Sequence, residues 1–316
     1  MKNKIVVVGS YNVDITIKSA RLPKNGETVL GNSISFSNGG KGANQAVAAV
    51  RAGAEVSFIA KVGNDSYGEK AISDLHKEGI NTSGITVDQD FHTGMASITV
   101  DSNGENCIVA VPGANSRLTP EDIEESNSVI ASADFLLIQL ETPLETVESA
   151  INLAYKNNTS VILDPAPARK LSPEILRKVT VITPNKGEAE LLTGIKITNE
   201  STMVKASKQL LSNGIKVVII TLGESGVYLS TQEYNKLIPA YVVDALDSTG
   251  AGDVFNGVLA AHFNTDALLM IEAVSRAAAA ASLSVTRLGA QTAIPYLKDV
   301  EVFRKMHTNR QKTFML

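Results

Sequence analysis

The 316-residue sequence contains a single cysteine, Cys107, so no disulfide can form within the chain and a disulfide-stapled secreted scaffold is excluded. It contains no tryptophan, which leaves a nucleobase-gripping site short of stacking material. No polybasic block is present, and 29 basic against 33 acidic residues leave a formal charge of −4. That balance lacks the electrostatic footprint of a protein that binds nucleic acid or anionic lipid. No apolar run approaches the roughly 20 residues of a membrane helix. The four apolar residues Ile5 to Val8 are too few for a signal-peptide core and end in Gly-Ser, so they read as a strand. There is no Gly-x-x-x-x-Gly-Lys-Ser/Thr loop, and no Gly-x-Gly-x-x-Gly follows the first strand. A soluble cytoplasmic protein is the expectation, with neither nucleic acid nor membrane as a partner.

What is present is a rhythm. With 44% hydrophobic residues the chain can bury a large core, and it reads as one domain over residues 1–316. Short apolar runs at Ile5–Val8, Val56–Val62, Phe135–Leu140, Val161–Leu163, Val179–Ile182 and Val217–Thr221 have the composition of parallel strands buried on both faces. Helical patterns at Ala43–Ala52, Gly68–Glu78, Leu144–Lys156 and Met203–Ser212 alternate with them, and Leu268 to Val285 reads as a tightly packed core helix. The expected fold is α/β, a mostly parallel central sheet with helices on both faces. Residues 15–36 and 93–111 break the rhythm with strand-like alternation and no helix. They read as a small discontinuous antiparallel β lid able to close over a substrate, or else as edge hairpins. The last ten residues read as a frayed tail.

Two glycine clusters carry the chemistry. In Asp247-Ser-Thr-Gly-Ala-Gly-Asp253, the small residues Gly250, Ala251 and Gly252 let backbone N–H groups converge ahead of an apolar helical stretch, Val254 to Phe263. A helix N-terminus of that kind suits the charge of a transferring phosphoryl group. Asp253 lies in the first turn. It can serve as a helix cap, but a carboxylate placed where an anion binds is costly unless it acts on the incoming hydroxyl, as a late proton acceptor. The second cluster, Asn38 to Gln45, offers Gly40, Lys41 and Asn44 at the start of another helix. Asn12 and Asp14 follow the first strand, where open parallel sheets place ligands. Together these five form a candidate hydroxyl-reading group, and Glu141 supplies another carboxylate at a strand's carboxyl end.

With these residues in view, the chain resembles the ribokinase-like, phosphofructokinase-B type carbohydrate kinases along nearly its whole length. The resemblance rests on Gly9–Asp14, Gly39–Ala46, Gln139–Glu141, Asp164–Ala168, Thr183–Glu188, Thr221–Gly226, Asp247–Asp253 and Val285–Gln291. It implies phosphoryl transfer from ATP to the 5-hydroxyl of D-ribose. It makes Asp253 the base and Gly250, Ala251 and Gly252 the anion hole, with Asn12, Asp14, Gly40, Lys41, Asn44, Glu141 and Asp253 meeting the sugar. Asn185 and Glu188 match a motif that organises Mg²⁺, and Thr221, Gly223 and Gly226, with Gly252, match nucleotide contacts. Asp247, Thr249, Ser284, Arg287 and Gly289 match the site of an activating monovalent cation, usually K⁺. A homodimer through the lid is also implied. Two positions depart from the pattern: Ala293 replaces a common serine near the cation, and Ala278 replaces a common histidine or asparagine near the adenine. A kinase of another small sugar such as 2-deoxyribose is the nearest alternative, though relatives of that kind tend to carry an apolar residue where Asn12 stands. A sugar-binding regulator without catalysis would show a damaged Asp253 or glycine loop, and both are intact.

Overall fold

The structure, a computed structural model, describes residues 2–314. In chain order its strands are β1 (Lys4–Val8), β2 (Asn12–Ser19), β3 (Gly31–Gly39), β4 (Glu55–Gly63), β5 (Asn81–Asp88), β6 (Gly94–Val100) and β7 (Asn106–Val111). They continue as β8 (Phe135–Ile138), β9 (Ser160–Leu163), β10 (Val181–Ile182), β11 (Val217–Thr221), β12 (Val227–Ser230) and β13 (Asn235–Ile238). Nine of them form the main sheet in the order β13-β12-β11-β10-β9-β8-β1-β4-β5, parallel from β11 to β5, with an antiparallel edge at β12 and β13.

The apolar runs expected as strands occupy the middle of this sheet, because a strand covered on both faces has no polar side to show. Alternate residues enter different cores. Ile5, Val7, Leu137, Ile162, Val181 and Ile219 point into one, and Val6, Val8, Leu136, Ile138, Leu163 and Ile220 into the other. The first core is covered by α1 (Lys41–Arg51), α2 (Ser66–Lys77), α9 (Ala251–His262), α10 (Ala267–Ser284) and α11 (Leu297–Phe314). The second is covered by α3 (Pro120–Glu125), α4 (Asn127–Ala131), α5 (Leu144–Lys156), α6 (Pro173–Leu176), α7 (Lys186–Thr193) and α8 (Glu200–Ser212). By length and composition alone α10 could cross a membrane. Its Met270, Ala273, Val274 and Ala277 to Ala280 are instead buried in the first core. The tail expected to fray is helical through Phe314, and its final two residues lie outside the described residues.

The four remaining strands make a separate sheet in the order β3-β2-β6-β7. Its outer pairs are antiparallel, while the central β2–β6 pair is parallel. Each of β2 and β6 opens its own excursion from the body, and both head outward, which sets that parallel pairing. Asn12 and Asp14 stand on β2, and Gly39 ends β3 beside Lys41.

Candidate active site

Because β1 and β8 to β11 run parallel, their carboxyl ends meet along one edge, and the segments after them bear the polar residues of the site. β1 leads to Ser10, Asn12 and Asp14, β8 to Glu141, β9 to Asp164, and β10 to Asn185, while Thr221 ends β11. A cavity of about 590 Å³ at the opposite edge, lined by Lys4, Glu55 and Asn81, is remote from all of them.

Helices α1 and α9 bring the two glycine clusters together. Both start at a glycine with positive φ, Gly40 at 86° and Gly250 at 74°, and neither has a side-chain cap. Further along, a Cβ on Gly257 would lie 2.5 Å from Ala48 Cβ, so only glycine lets α9 approach α1 this closely. The approach sets Asn44 and Gln45 against Asp253. Asn44 Nδ2 donates to Asp253 Oδ2 at 2.9 Å, and Gln45 Nε2 donates to Oδ1 at 3.1 Å. The same Gln45 nitrogen donates to Asp164 Oδ2 at 2.7 Å.

Burial pushes the Asp253 carboxyl up, and Glu141 adds to this; Lys41 and the bonds from Asn44 and Gln45 oppose it without cancelling it. Asp164 is pushed up to about 8, chiefly by burial. Asp14 is raised to about 6 by burial and by the charges of Glu141 and Asp253. Burial alone would lower the Lys41 ammonium, but Asp253, Asp164, Glu141 and Glu188 raise it above the ordinary lysine range, so it stays charged. This is one cation among several crowded carboxylates, an arrangement typical of functional sites.

The hydroxyl-reading candidates gather around that charge. Glu141 Oε2 accepts from Ser10 Oγ and from the Lys41 backbone N–H at 3.0 Å. Asn12 Oδ1 accepts from Asn115 Nδ2 at 2.8 Å, which leaves the Asn12 amide group to donate. Asn44 Oδ1 is buried without a partner, an acceptor left for a hydroxyl. A Cβ on Gly40 would sit 2.8 Å from the Asn12 nitrogen, so the backbone closes on itself there.

At the start of α9, the N–H of Ala251 turns back to Ser248 O at 3.2 Å. The N–H groups of Gly250, Gly252 and Asp253 take no partner among the described residues. They face a cavity of about 230 Å³ lined by Lys41, Asp164, Asn185, Glu188, Gly252 and Asp253. Asn256, one turn beyond Asp253, lines it with an unpartnered Oδ1. A larger cavity of about 810 Å³ adjoins it, sharing Asn185, Thr221 and Gly252 and adding Gly223, Gly226, Phe255 and Ala278. All the residues expected to meet a nucleotide are therefore divided between two connected hollows.

Asn185 and Glu188 form a reciprocal cap on α7: the N–H of Glu188 donates to Asn185 Oδ1 at 2.9 Å, and the N–H of Asn185 donates to Glu188 Oε2 at 2.7 Å. Glu188 also lines the smaller cavity. Among the described residues no three acidic, histidine or cysteine side chains converge on one point. That donor set suits Mg²⁺ held mainly by water and phosphate, with protein oxygens outside. Asp247 accepts from Thr249 N–H and from Gly289 N–H, both at 2.9 Å, which ties the two expected cation loops together. Burial would raise this carboxyl, but the bonds from Thr249 and Gly289 hold it below its ordinary value. Arg287 N–H donates to Ser284 O at 3.0 Å in the second loop, and Ala293 is buried close by.

Gln45, Gln139, Asp164, Asn115 and Asn256 were not assigned roles by sequence reasoning, although the first three lie inside quoted motifs. Polar side chains inside an otherwise apolar helix or strand end were the available signal for Gln45, Gln139 and Asn256. Asn115, whose amide brackets the Tyr11 backbone N–H and C=O at 2.9 Å each, gives no local signal.

A sequence profile described as the pfkB family of carbohydrate kinases matches residues 2–297. The chain is 45% identical over 304 residues to the ribokinase of Haemophilus influenzae, covering 96% of this chain and 99% of that one. It is 34% identical over 304 residues to a deoxyribokinase of Salmonella typhi, with the same coverage. The solved structure of Arabidopsis thaliana ribokinase complexed with ribose and ATP superposes with a TM-score of 0.87 at 30% identity, covering 96% of this chain and 99% of that chain.

Proposed function

The chain belongs to the pfkB family of carbohydrate kinases, and from that premise we propose that it transfers the terminal phosphoryl group of ATP to the 5-hydroxyl of D-ribose. The observation that carries this reading is the Asp253 carboxylate, held by Asn44 and Gln45 beside the three unpartnered N–H groups that open α9.

Ribose enters among Asn12, Asp14, Gly40, Lys41, Asn44 and Glu141, whose open donors and acceptors match a polyol. The nucleotide lies along the larger hollow past Thr221, Gly223 and Gly226, with its γ-phosphoryl group in the smaller one. Asp253 orients the 5-hydroxyl. As the sugar oxygen bonds to phosphorus and the bond to the bridging oxygen of ADP breaks, the hydroxyl proton passes to the Asp253 carboxylate. The open N–H groups of Gly250, Gly252 and Asp253 stabilise the developing charge, whereas the N–H of Ala251, expected to join them, is already bonded to Ser248 O; losing one such donor costs about 10²–10³ in turnover. A base whose pKa is raised toward the working pH accepts a proton more readily than an ordinary aspartate. Asn185 and Glu188 would hold hydrated Mg²⁺, which when bound neutralises phosphate charge. Asp247, Thr249 and the carbonyls of Ser284, Arg287 and Gly289 would hold a monovalent cation such as K⁺, with Ala293 supplying no side-chain ligand. The exposed apolar residues Ile34, Phe36, Ile108 and Val109 support a homodimer joined through the small sheet. A cytoplasmic location belongs to the same proposal.

Asn12, supported by Asn115, favours ribose over 2-deoxyribose, since an acceptor lacking the 2-hydroxyl has less need of polar readers. ATP consumption measured with D-ribose, 2-deoxyribose, fructose and adenosine tests the reading: ribose is expected to give the highest kcat/KM, and indifference to ribose overturns it.

A further inference from the structure

Gln45 is fully buried, and all its side-chain polar atoms are engaged. Its Nε2 donates to Asp253 Oδ1 and Asp164 Oδ2, and its Oε1 accepts from Gln139 Nε2 at 2.7 Å. An ionised carboxylate can only accept, so the nitrogen end must face Asp253, and Gln139 must then present its own nitrogen to the oxygen end. We infer that Gln45 is a positioning residue that keeps the Asp253 carboxylate ionised and aimed, with Gln139 anchoring the oxygen end of the Gln45 amide. Neither residue lines the two hollows assigned to the nucleotide and its phosphates.

The inference rests on the kinase reading, because it gives Asp253 a proton to accept. A donor to the charged form of a carboxylate lowers its proton affinity, and its loss raises that affinity. The other charges facing Asp253 are Lys41 on α1, Asp14 on β2, Glu141 after β8 and Asp164 after β9. Glu188 on α7 acts on Lys41 and Asp164.

Gln45→Glu keeps the length of the side chain and an acceptor for Gln139, but sets another carboxylate against Asp253. The acid limb of the kcat–pH profile is expected to move to higher pH by at least about one unit. The KM for ATP should stay within about twofold, as for an interaction realised at the reacting centre. Gln139→Leu leaves both Gln45 donors in place but removes the anchor of its oxygen end, so the limb should move the same way by less. If Gln45→Glu does not fold, Gln139→Leu carries the test alone. A limb that stays put in every folded variant, with only the melting temperature altered, overturns the inference. Wild-type enzyme runs in the same assay: if it shows no ribose-dependent turnover, the proposed function fails instead. The Asp253 carboxyl titration, followed by ¹³C NMR, then still decides whether Gln45 holds it.

Discussion

Helices α1 and α9 begin alike and end up with opposite tasks. Each starts at an uncapped glycine with positive φ, packs against the other, and lies in the same cleft. At α1 the protein itself consumes the N-terminal donors: Lys41 N–H goes to Glu141, Gly42 N–H to Ser10 Oγ at 3.5 Å, and Ala43 N–H to Ser10 O at 3.0 Å. At α9 the donors of Gly250, Gly252 and Asp253 are left open. A glycine-rich helix start is thus not in itself an anion site; what decides is whether a neighbouring carboxylate has already answered it. With Glu141 seated on it, α1 disfavours an anion, and in the proposed reaction it serves the sugar hydroxyls while α9 takes the phosphoryl group.

The largest test of that contrast removes the base. Asp253→Asn should cut kcat by about 10²–10⁴, with ATP affinity from calorimetry little changed. Turnover within tenfold of wild type would contradict the assignment. Gly250→Ala places a Cβ on a backbone at φ 74° and disturbs the open donors, so kcat should fall by about 10²–10³. Steady-state kinetics should show that loss in kcat more than in the KM for ribose. Glu141→Ala works on the other helix. Losing a charged hydrogen-bond acceptor for the sugar should raise the KM for ribose about 10- to 100-fold while the KM for ATP moves little. A comparable rise in both would mean that the helices do not divide the labour. The smallest effect belongs to pH. Asp14 is raised to about 6, so it gains a proton and loses an acceptor as pH falls through that value. The KM for ribose should rise below about pH 6, and Asp14→Asn should flatten that dependence.

The middle of the main sheet was legible because a strand covered on both faces must be a short apolar run. β5 was not, since it lies at the sheet edge and its sequence mixes Asn81, Thr82, Ser83 and Gly84 with apolar residues. β13, at the opposite edge, escaped for the same reason, with three of its four residues exposed. In the site, the two glycine clusters were visible as local patterns. The bonds that make them one site were not: Gln45 reaches Asp164 across 119 positions and Asp253 across 208, a separation that leaves no periodic trace. The asymmetry between α1 and α9 was equally hidden, because it depends on Glu141 arriving from another strand, 100 positions away.

The small sheet grows directly out of the proposed sugar site. β2 starts at Asn12 and carries Asp14, β3 returns to Gly39 beside Asp14, and β6 starts opposite Asn12 at Gly94. On the proposed reading, β2, β3 and β6 thus leave the body beside the hydroxyl-reading residues, and the far end of the sheet would act as a lever whose fulcrum is the sugar. Any tilt of the sheet, whether from a partner on its outer strands or from ligand beneath, would carry Asn12 and Asp14 with it, since both stand on β2. Occupancy of the proposed pocket and the attitude of the sheet would then be two readings of one mechanical coordinate.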